Sequence, residues 1–237
     1  MIRLSDVYVR YPNGTQALNG VSLEVRDGEF VFIVGHSGAG KSTLLKLLTA
    51  ELRPRAGIAM VNGFSVTKKL KRRKIPKLRR TLGVVYQDFR LIDRMTVFEN
   101  VAFAMRVVGF HKSRQIRERV MYVLQLVGLE DKADRLPSQI SGGEQQRVSV
   151  ARALVNNPDI IIADEPTGNL DPDRSLELMQ LLAKINELGS TVLVITHERE
   201  LVNSFGKRVI LLEDGRVVGD GIGSYSGGPI QQGGEEA

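Results

Sequence analysis

The sequence contains no cysteine and no tryptophan. Without cysteine the chain can form no disulfide bond, thiolate metal site or cysteine nucleophile, and this absence fits a cytoplasmic protein. Phe, Tyr and Trp together make up 5% of the residues, so aliphatic side chains must build the core. No run approaches the roughly 18 consecutive apolar residues of a membrane span, so we expect any action on a membrane to need a second polypeptide.

The rest of the composition is that of an ordinary globular protein. Apolar residues account for 42% and charged residues for 25% of the chain, which excludes the disordered and collagen-like classes. Since a domain usually takes about 100–200 residues, the 237 residues predict one domain with room for a subdomain.

Positive charge is concentrated in one segment, residues 67–80, which we call the basic segment. It reads TKKLKRRKIPKLRR, with nine Lys or Arg and no acid, and without those nine the net charge of +6 becomes −3. A nucleic-acid-binding protein would spread its basic residues more widely and interleave aromatic residues for stacking, so no nucleic-acid partner is expected. The basic segment is either a solvated face or a contact for anionic lipid headgroups.

Short, continuous apolar runs predict the buried strands of a mostly parallel sheet. Three such runs are Phe30–Val34, Ile160–Ala163 and Val192–Ile195. Helical patterns at Ser42–Leu52 and around Leu178–Ile185 alternate with these runs, as is typical of an α/β fold. Further strands are predicted at the N-terminal end and in a C-terminal hairpin, at residues 2–11, 21–25, 209–212 and 216–218.

The middle of the chain has helical periodicity, from about residue 96 to residue 156. Its clearest apolar face has residues at i, i+4, i+7, i+8 and i+11, namely Ile116, Val120, Val123, Leu124 and Val127. We expect a helical subdomain here, inserted between two α/β parts. Residues 223–237 are rich in Gly, Ser and Gln, which predicts a flexible C-terminal tail.

A glycine-rich loop follows the run Phe30–Val34. Residues 35–42 read GHSGAGKS and match the pattern G-x-x-x-x-G-K-S, with a predicted strand before them and a predicted helix after them. The glycines allow the backbone to wrap around a phosphate and point its amides at it, and the helix start adds its dipole. We expect Lys41 to reach the β- and γ-phosphates of a nucleotide and the Ser42 hydroxyl to ligate Mg²⁺.

Two acidic residues, Asp164 and Glu165, directly follow the run Ile160–Ala163. The carboxyl ends of parallel strands are where open α/β sheets place their ligands. We therefore expect Asp164 to hold the Mg²⁺ and Glu165 to polarise a water molecule for in-line attack on the γ-phosphate. Together with the glycine-rich loop, these residues predict a P-loop nucleoside triphosphatase.

A third motif narrows this prediction. Residues 140–147 read ISGGEQQR, and a helical stretch follows them. They resemble the LSGGQ signature of ATP-binding-cassette (ABC) ATPases, with Ile140 in place of Leu and Glu144 in place of Gln. Neither departure removes the hydroxyl or the glycine amides that bind phosphate. In that family the second phosphate-binding motif serves the partner subunit, so the resemblance implies a homodimer that forms on ATP binding.

The resemblance covers nearly the whole chain and implies one ABC ATP-binding domain over residues 1–222, with the helical subdomain at about 88–156. The implied fold is an α/β fold with a P-loop NTPase (RecA-like) core, a mostly parallel sheet and an N-terminal antiparallel β portion. The implied cofactors are ATP and Mg²⁺.

Four more site residues are implied by their positions relative to the family's motifs. In the family's pattern Tyr11 stacks on adenine, Gln87 contacts Mg²⁺ and the attacking water, Asp171 crosses the dimer interface and His197 contacts the γ-phosphate. The resemblance thus implies Glu165, His197 and Gln87 as catalytic residues, and Ser42, Gln87 and Asp164 as metal ligands. The implied nucleotide-binding residues are Tyr11, Gly35, Ser37, Gly38, Ala39, Gly40, Lys41, Ser42, Thr43, Ser141, Gly142, Gly143, Glu144 and Asp171.

Within the family, residues 35–47, 86–91 and 197–202 resemble the bacterial cell-division branch. This likeness implies an integral membrane partner of the FtsX type, a location at the cytoplasmic face of the bacterial cell membrane, and control of peptidoglycan hydrolysis. An alternative is the ATPase subunit of a lipoprotein-release or macrolide-type exporter. A soluble ABC protein acting on nucleic acid or ribosomes fits less well, because such proteins usually have two cassettes or a long coiled coil.

Overall fold

The structure, a computed structural model, describes residues 1–223. The tail predicted for residues 223–237 therefore lies outside the described residues, apart from its first position. Within residues 1–223 the strands are β1 (Ile2–Arg10), β2 (Gln16–Val25), β3 (Phe30–Val34), β4 (Ala56–Val61), β5 (Phe64–Ser65), β6 (Leu82–Val85), β7 (Ile160–Asp164), β8 (Thr191–Thr196), β9 (Arg208–Glu213) and β10 (Arg216–Ile222). The α-helices are α1 (Lys41–Leu48), α2 (Ile75–Arg79), α3 (Val97–Val107), α4 (Ser113–Leu126), α5 (Gly142–Leu154), α6 (Pro172–Glu187) and α7 (Arg199–Phe205).

The larger sheet has the strand order β10-β9-β3-β8-β7-β6. Its strands from β9 to β6 pair in parallel, and β10 adds an antiparallel edge as the hairpin partner of β9. Every residue of β3 and β8 is buried, which is why these segments read as continuous apolar runs. The predicted mostly parallel sheet is confirmed.

The register of this sheet brings three chain segments together at the carboxyl ends of its parallel strands. Val34 at the end of β3 pairs with Thr196 at the end of β8, and Asp164 at the end of β7 pairs with Ile195. The glycine-rich loop, Asp164 and the residues after β8 therefore leave the sheet side by side. This edge is the usual ligand position in open parallel sheets.

The smaller sheet is antiparallel, with the order β2-β1-β4-β5. It confirms the N-terminal antiparallel portion, but β4 and β5 were not predicted from the sequence. Three of the six residues of β4 are exposed, and its apolar run is limited to four residues, 58–61. Its Gly57 lies so close to β1 that a Cβ atom there would overlap the backbone of Ser5 and Asp6.

Helices α3, α4 and α5 pack against one another, which confirms helical structure in the middle of the chain. The predicted apolar face of α4 is buried together with Val127. A capping box starts α3, because Thr96 and Glu99 each accept a hydrogen bond from the other's backbone amide. These helices share a core with one face of the larger sheet, while the smaller sheet and α1 cover the other face.

Two features of the chain differ from the sequence prediction. Helix α1 ends at Leu48 rather than at residue 52, because Ala50 takes a left-handed φ of 53° and the amides of Glu51 and Leu52 both donate to the Lys46 carbonyl. Strand β6, which has only four residues, was not predicted and pairs in parallel with β7. No helix within residues 1–223 is both long and apolar enough to cross a bilayer.

Candidate active site

The glycine-rich loop is held tightly between β3 and α1. A Cβ atom on Gly35 would overlap the carbonyl oxygen of Leu212, and one on Gly40 would lie 2.7 Å from the carbonyl oxygen of Ala17. Gly40 also has a φ of 108°, which a residue with a side chain rarely adopts. At these two glycines the loop therefore packs directly against the backbone of β2 and β9.

Lys41 occupies the inside of this loop. Its buried Nζ donates hydrogen bonds to the carbonyl oxygens of Gly35, at 2.6 Å, and His36, at 3.2 Å. The same Nζ lies 3.9 Å from Glu165 Oε1. A cation is thus fixed next to the loop amides, which is the arrangement that binds a phosphate chain.

Glu165 lies between Lys41 and His197. Its backbone takes a left-handed φ of 46°, and its amide donates to the Ile195 carbonyl at 2.8 Å. On the other side from Lys41, His197 Nδ1 donates to Glu165 Oε2 at 2.9 Å. The structure therefore brings together three side chains from the ends of three different chain segments, with the carboxylate in the middle.

Asp164 lies just before Glu165 and is mostly buried. Burial raises the pKa of Asp164 above its ordinary value, and the charge of Glu165 raises it further, while Lys41 lowers it. A carboxylate whose charge is disfavoured in this way gains from a nearby cation. The native protein therefore presents an acceptor that a divalent metal would stabilise.

Asp164 shares one cavity with Ser42 and Gln87. This cavity has a volume of about 760 Å³ and is lined by the glycine-rich loop, Glu165 and His197 as well. A carboxylate, a hydroxyl and an amide oxygen form an all-oxygen donor set of the kind that Mg²⁺ prefers. The residues present therefore fit a magnesium ion bound beside a phosphate chain.

Tyr11 also lines this cavity. Its hydroxyl and that of Thr43 on α1 are 3.2 Å apart and share a hydrogen bond. The Tyr11 side chain therefore lies next to the start of α1, in the wall of the cavity that the glycine-rich loop also lines. Sequence reasoning missed Thr15 and Gln16 in the lining, because the start of β2 was predicted five residues too late.

Arg199 is a further lining residue that the sequence did not indicate. It is the first residue of α7, a helix of seven residues that was not predicted. Its neighbour Glu198 accepts a hydrogen bond from Thr167 Oγ1 at 2.5 Å. This contact ties the segment after β8 to the segment that follows Glu165.

Gln87 is connected to the segment of residues 168–169. Its backbone carbonyl accepts a hydrogen bond from Asn169 Nδ2 at 3.1 Å, and its side-chain amide lies next to Gly168. No local sequence pattern indicates this contact, because its two partners are separated by 82 residues. The residues after β6 and the residues after β7 are therefore joined by a direct hydrogen bond.

Ser141 begins α5 as its N-cap in a capping box. Its Oγ accepts from the Glu144 amide at 3.3 Å, and its own amide donates to Glu144 Oε2 at 2.7 Å. The hydrogen bond from the Ser141 backbone is the main reason why the pKa of Glu144 is lowered, so the carboxylate stays charged. Glu144 thus stabilises the helix start that presents Ser141, Gly142 and Gly143.

These residues do not reach the first cavity. Ser141, Gly143 and Glu144 line a second cavity of about 280 Å³, together with Arg174 of α6. Asp171 caps α6 beside it, accepting from the Arg174 amide at 3.0 Å and pairing with the Arg174 guanidinium at 3.2 Å. No residue lines both cavities. The predicted site residues therefore form two separate groups on the described part of this chain.

The chain is similar to known proteins over most of its length. A family model described as ABC transporter matches residues 18–168. The chain is 54% identical over 220 residues to the cell division ATP-binding protein FtsE of Bacillus subtilis (strain 168), covering 93% of this chain and 96% of that protein. It is 46% identical over 223 residues to FtsE of Escherichia coli (strain K12), covering 94% of this chain and 99% of that protein.

A solved structure is similar to the chain as well. It is titled as the dimeric structure of a post-hydrolysis state of the ATP-binding cassette MJ0796 bound to ADP and Pi. It superimposes with a TM-score of 0.81 at 40% sequence identity, covering 92% of this chain and 96% of that chain.

Proposed function

The chain belongs to the ABC transporter family, whose cassettes bind and hydrolyse ATP, and we propose that it is the ATPase subunit of a membrane complex of the FtsE cell-division type. The observation that carries the enzymatic part is the position of Glu165, 3.9 Å from Lys41 and 2.9 Å from His197 at the edge of the sheet. The cellular role is supported by the likeness to FtsE proteins over nearly the full length of the chain.

The roles of the site residues follow from their chemistry. Lys41 and the loop amides bind the β- and γ-phosphates, and Tyr11 stacks on the adenine. Ser42, Asp164 and Gln87 would hold Mg²⁺, which when bound neutralises charge on the phosphates. Glu165 accepts a proton from the attacking water.

His197 has two roles in this proposal. Its Nδ1–H orients the Glu165 carboxylate, at 2.9 Å, and its exposed ring edge is free to meet the γ-phosphate. A carboxylate that already accepts from an imidazole and lies near an ammonium is fixed in place before substrate arrives. Such prior positioning lowers the cost of reaching the reactive geometry.

The second group, Ser141 to Glu144 with Asp171, serves the nucleotide of a partner copy. One chain has no use for two phosphate-binding helix starts that line different cavities. In a homodimer, the Ser141 group of one copy can lie over the Lys41 group of the other copy. Both phosphate-binding helix starts then contact the same nucleotide. In this assembly residues 1–222 act as one ATP-binding domain, and residues 88–156 act as its helical subdomain.

The complex would act at the cytoplasmic face of the cell membrane through an FtsX-like integral membrane partner. To test this, the tagged chain is purified from detergent-extracted native membranes and its bound polypeptides are identified by mass spectrometry. Recovery of an FtsX-like membrane protein is the expected result. A lipoprotein-release or macrolide-exporter membrane subunit in its place would establish the alternative, and ribosomal proteins or nucleic acid without a membrane protein would refute the membrane assignment.

The basic segment supports this orientation. All nine of its Lys and Arg side chains are exposed, while Leu70 and Leu78 are buried and anchor the segment to the domain. Arg79 and Arg80 also line a groove of about 590 Å³ together with Tyr86 and Phe103, next to Gln87. The positive charge of the basic segment therefore extends to the groove beside Tyr86 and Gln87, at the end of β6.

We predict that the basic segment binds anionic lipid. Each Lys or Arg near an anionic surface contributes about 1 kcal/mol of attraction, which salt weakens within a Debye length of roughly 8 Å. Wild-type protein should co-sediment with phosphatidylserine-containing vesicles at least about tenfold better than with neutral vesicles at low salt. Replacing Lys71, Arg72, Arg73 and Lys74 by Gln should abolish most of this difference.

A matched variant distinguishes the effect of the basic segment on vesicle binding from the effect of the protein's net charge. Gln at four exposed basic residues elsewhere removes the same total charge, for which the chain offers Arg26, Lys112, Arg117 and Lys184. This control should still bind anionic vesicles. Equal loss in both quadruple variants, or equal binding of wild type to anionic and neutral vesicles, would mean that the basic segment is only a solvated face.

A further inference from the structure

The turn that carries Gln87 has an unfavourable backbone. Two successive residues, Phe89 and Arg90, both take a left-handed φ of 51°. Side chains beyond glycine are disfavoured in this region, and two such residues in a row are unusual. Within the turn, the Phe89 amide donates to the Tyr86 carbonyl and the Arg90 amide donates to the Asp88 carbonyl, and contacts from outside the turn add to these.

Arg152 of α5 supplies those contacts. Its Nη1 donates to the Arg90 carbonyl at 2.5 Å, and its Nη2 donates to the Phe89 carbonyl at 2.6 Å. The planar guanidinium thus holds both strained residues with two parallel hydrogen bonds. Burial lowers the pKa of Arg152, but from a value so high that the group stays charged at neutral pH.

The turn is packed from a second side. The guanidinium carbon of Arg90 lies 3.7 Å from the centre of the Tyr86 ring, as a cation–π contact. Asn169 holds the Gln87 carbonyl, so contacts from three elements surround the four residues after Tyr86. Of these, Arg152 alone donates hydrogen bonds to the carbonyls of both residues that have left-handed backbones.

Helix α5 connects this turn to the other parts of the site. It begins after Ser141, and Arg152 lies about 16 Å further along at the helical rise per residue. Between them, the buried Gln146 donates from Nε2 to the Pro166 carbonyl at 2.6 Å, one residue after Glu165. One rigid helix therefore contacts the Gln87 turn and the segment after Glu165, and it presents the Ser141 group at its start.

We propose that Arg152 is a positioning residue for ATP hydrolysis, which holds the Phe89–Arg90 turn so that Gln87 faces the cavity and moves together with α5. The proposal rests on the proposed function, because it assigns Gln87 to the metal and the attacking water. Arg152 does not line the cavity of Lys41 and Tyr11. Its loss should therefore affect the chemical step rather than the binding of ATP.

The test compares Arg152→Gln and Arg152→Lys with Arg119→Gln. Arg119 is a matched control, because its guanidinium also donates to two backbone carbonyls, those of Val155 at 2.9 Å and Leu154 at 3.1 Å, without touching the Gln87 turn. We expect Arg152→Gln to lower kcat about tenfold with KM for ATP within about twofold. Arg152→Lys should recover part of this loss, since an ammonium can hold one carbonyl but not both in the fork geometry.

The melting temperature and the amide hydrogen exchange of each variant are measured together with its kinetics. Arg119→Gln should keep kcat within about twofold, even where its melting temperature falls as far as that of Arg152→Gln. Arg152→Gln should also speed exchange at the amides of residues 87–91. Unchanged kcat and unchanged exchange in Arg152→Gln, or an equal kcat loss in Arg119→Gln at an equal melting temperature, would overturn the proposal.

Amide hydrogen exchange can be measured without ATP turnover, so the proposed ATPase function and the proposed role of Arg152 can each be refuted without the other. A wild-type chain without ATPase activity would count against the proposed function, and the exchange comparison would still decide whether Arg152 holds the turn.

Discussion

Glu165→Gln should lower ATP turnover by at least about a hundredfold, because the amide keeps the shape of the side chain but cannot accept a proton from water. The carboxylate lies 2.9 Å from His197 and 3.9 Å from Lys41, and it is largely buried. Gln can still accept the hydrogen bond from His197, so the site should keep its geometry. ATP binding, measured by calorimetry or a fluorescent analogue, should stay within a few-fold of wild type.

Glu198→Gln is the control for this prediction. Glu198 is the acid next to His197, but it accepts a hydrogen bond from Thr167 and does not line the cavity. Gln at this position keeps the acceptor, so steady-state turnover should change by less than about threefold. Turnover near the wild-type level in Glu165→Gln would refute the assignment of Glu165 as the base.

Mg-ATP should convert the Glu165→Gln protein from a monomer into a homodimer. The Lys41 group and the Ser141 group line different cavities, so neither encloses a nucleotide within one chain. ATP that is bound but not hydrolysed should hold two copies together through both pairs of groups. Sedimentation should then report twice the mass of the 26.2 kDa chain.

Two comparisons test whether the dimer depends on the γ-phosphate of ATP and on Ser141. ADP in place of ATP should leave the monomer, because the γ-phosphate is what the Ser141 group would bind across the interface. Ser141→Arg in the Glu165→Gln background should also prevent the dimer, since a bulky cation replaces the hydroxyl at the N-cap of α5. A monomer at saturating Mg-ATP and high protein concentration would count against the shared site.

The strands and helices that could be predicted are those whose burial produces a recognisable apolar pattern in the local sequence. Strands β3, β7 and β8 are covered on both faces, so each reads as an apolar run. Helix α4 shows its single buried face as a regular spacing. By contrast, β4 and β6 were not predicted, because their apolar runs at residues 58–61 and 84–85 are short and a glycine precedes each of them.

The candidate site divides in the same way. The glycine-rich loop and Asp164–Glu165 could be placed from their own residues, because each directly follows a recognisable strand. His197 was implied only by resemblance, and the register between Asp164 and Ile195 explains why it lies beside Glu165. The hydrogen bond from Arg152 to Phe89 joins residues 63 positions apart, and no local pattern encodes such a contact.

The most direct test of the shared ATP site mixes two variants that are inactive alone. Lys41→Ala removes the phosphate cation of one group, and Ser141→Arg blocks the other group. In a mixed dimer one site combines both defects, and the other combines the intact Lys41 group with the intact Ser141 group of the second copy. An equal mixture should therefore regain ATPase activity, up to about half of the wild-type rate, because only the mixed pair can close on ATP and each pair has one working site. A mixture as inactive as its two components, or full activity of Ser141→Arg by itself, would contradict an ATP site shared between two copies.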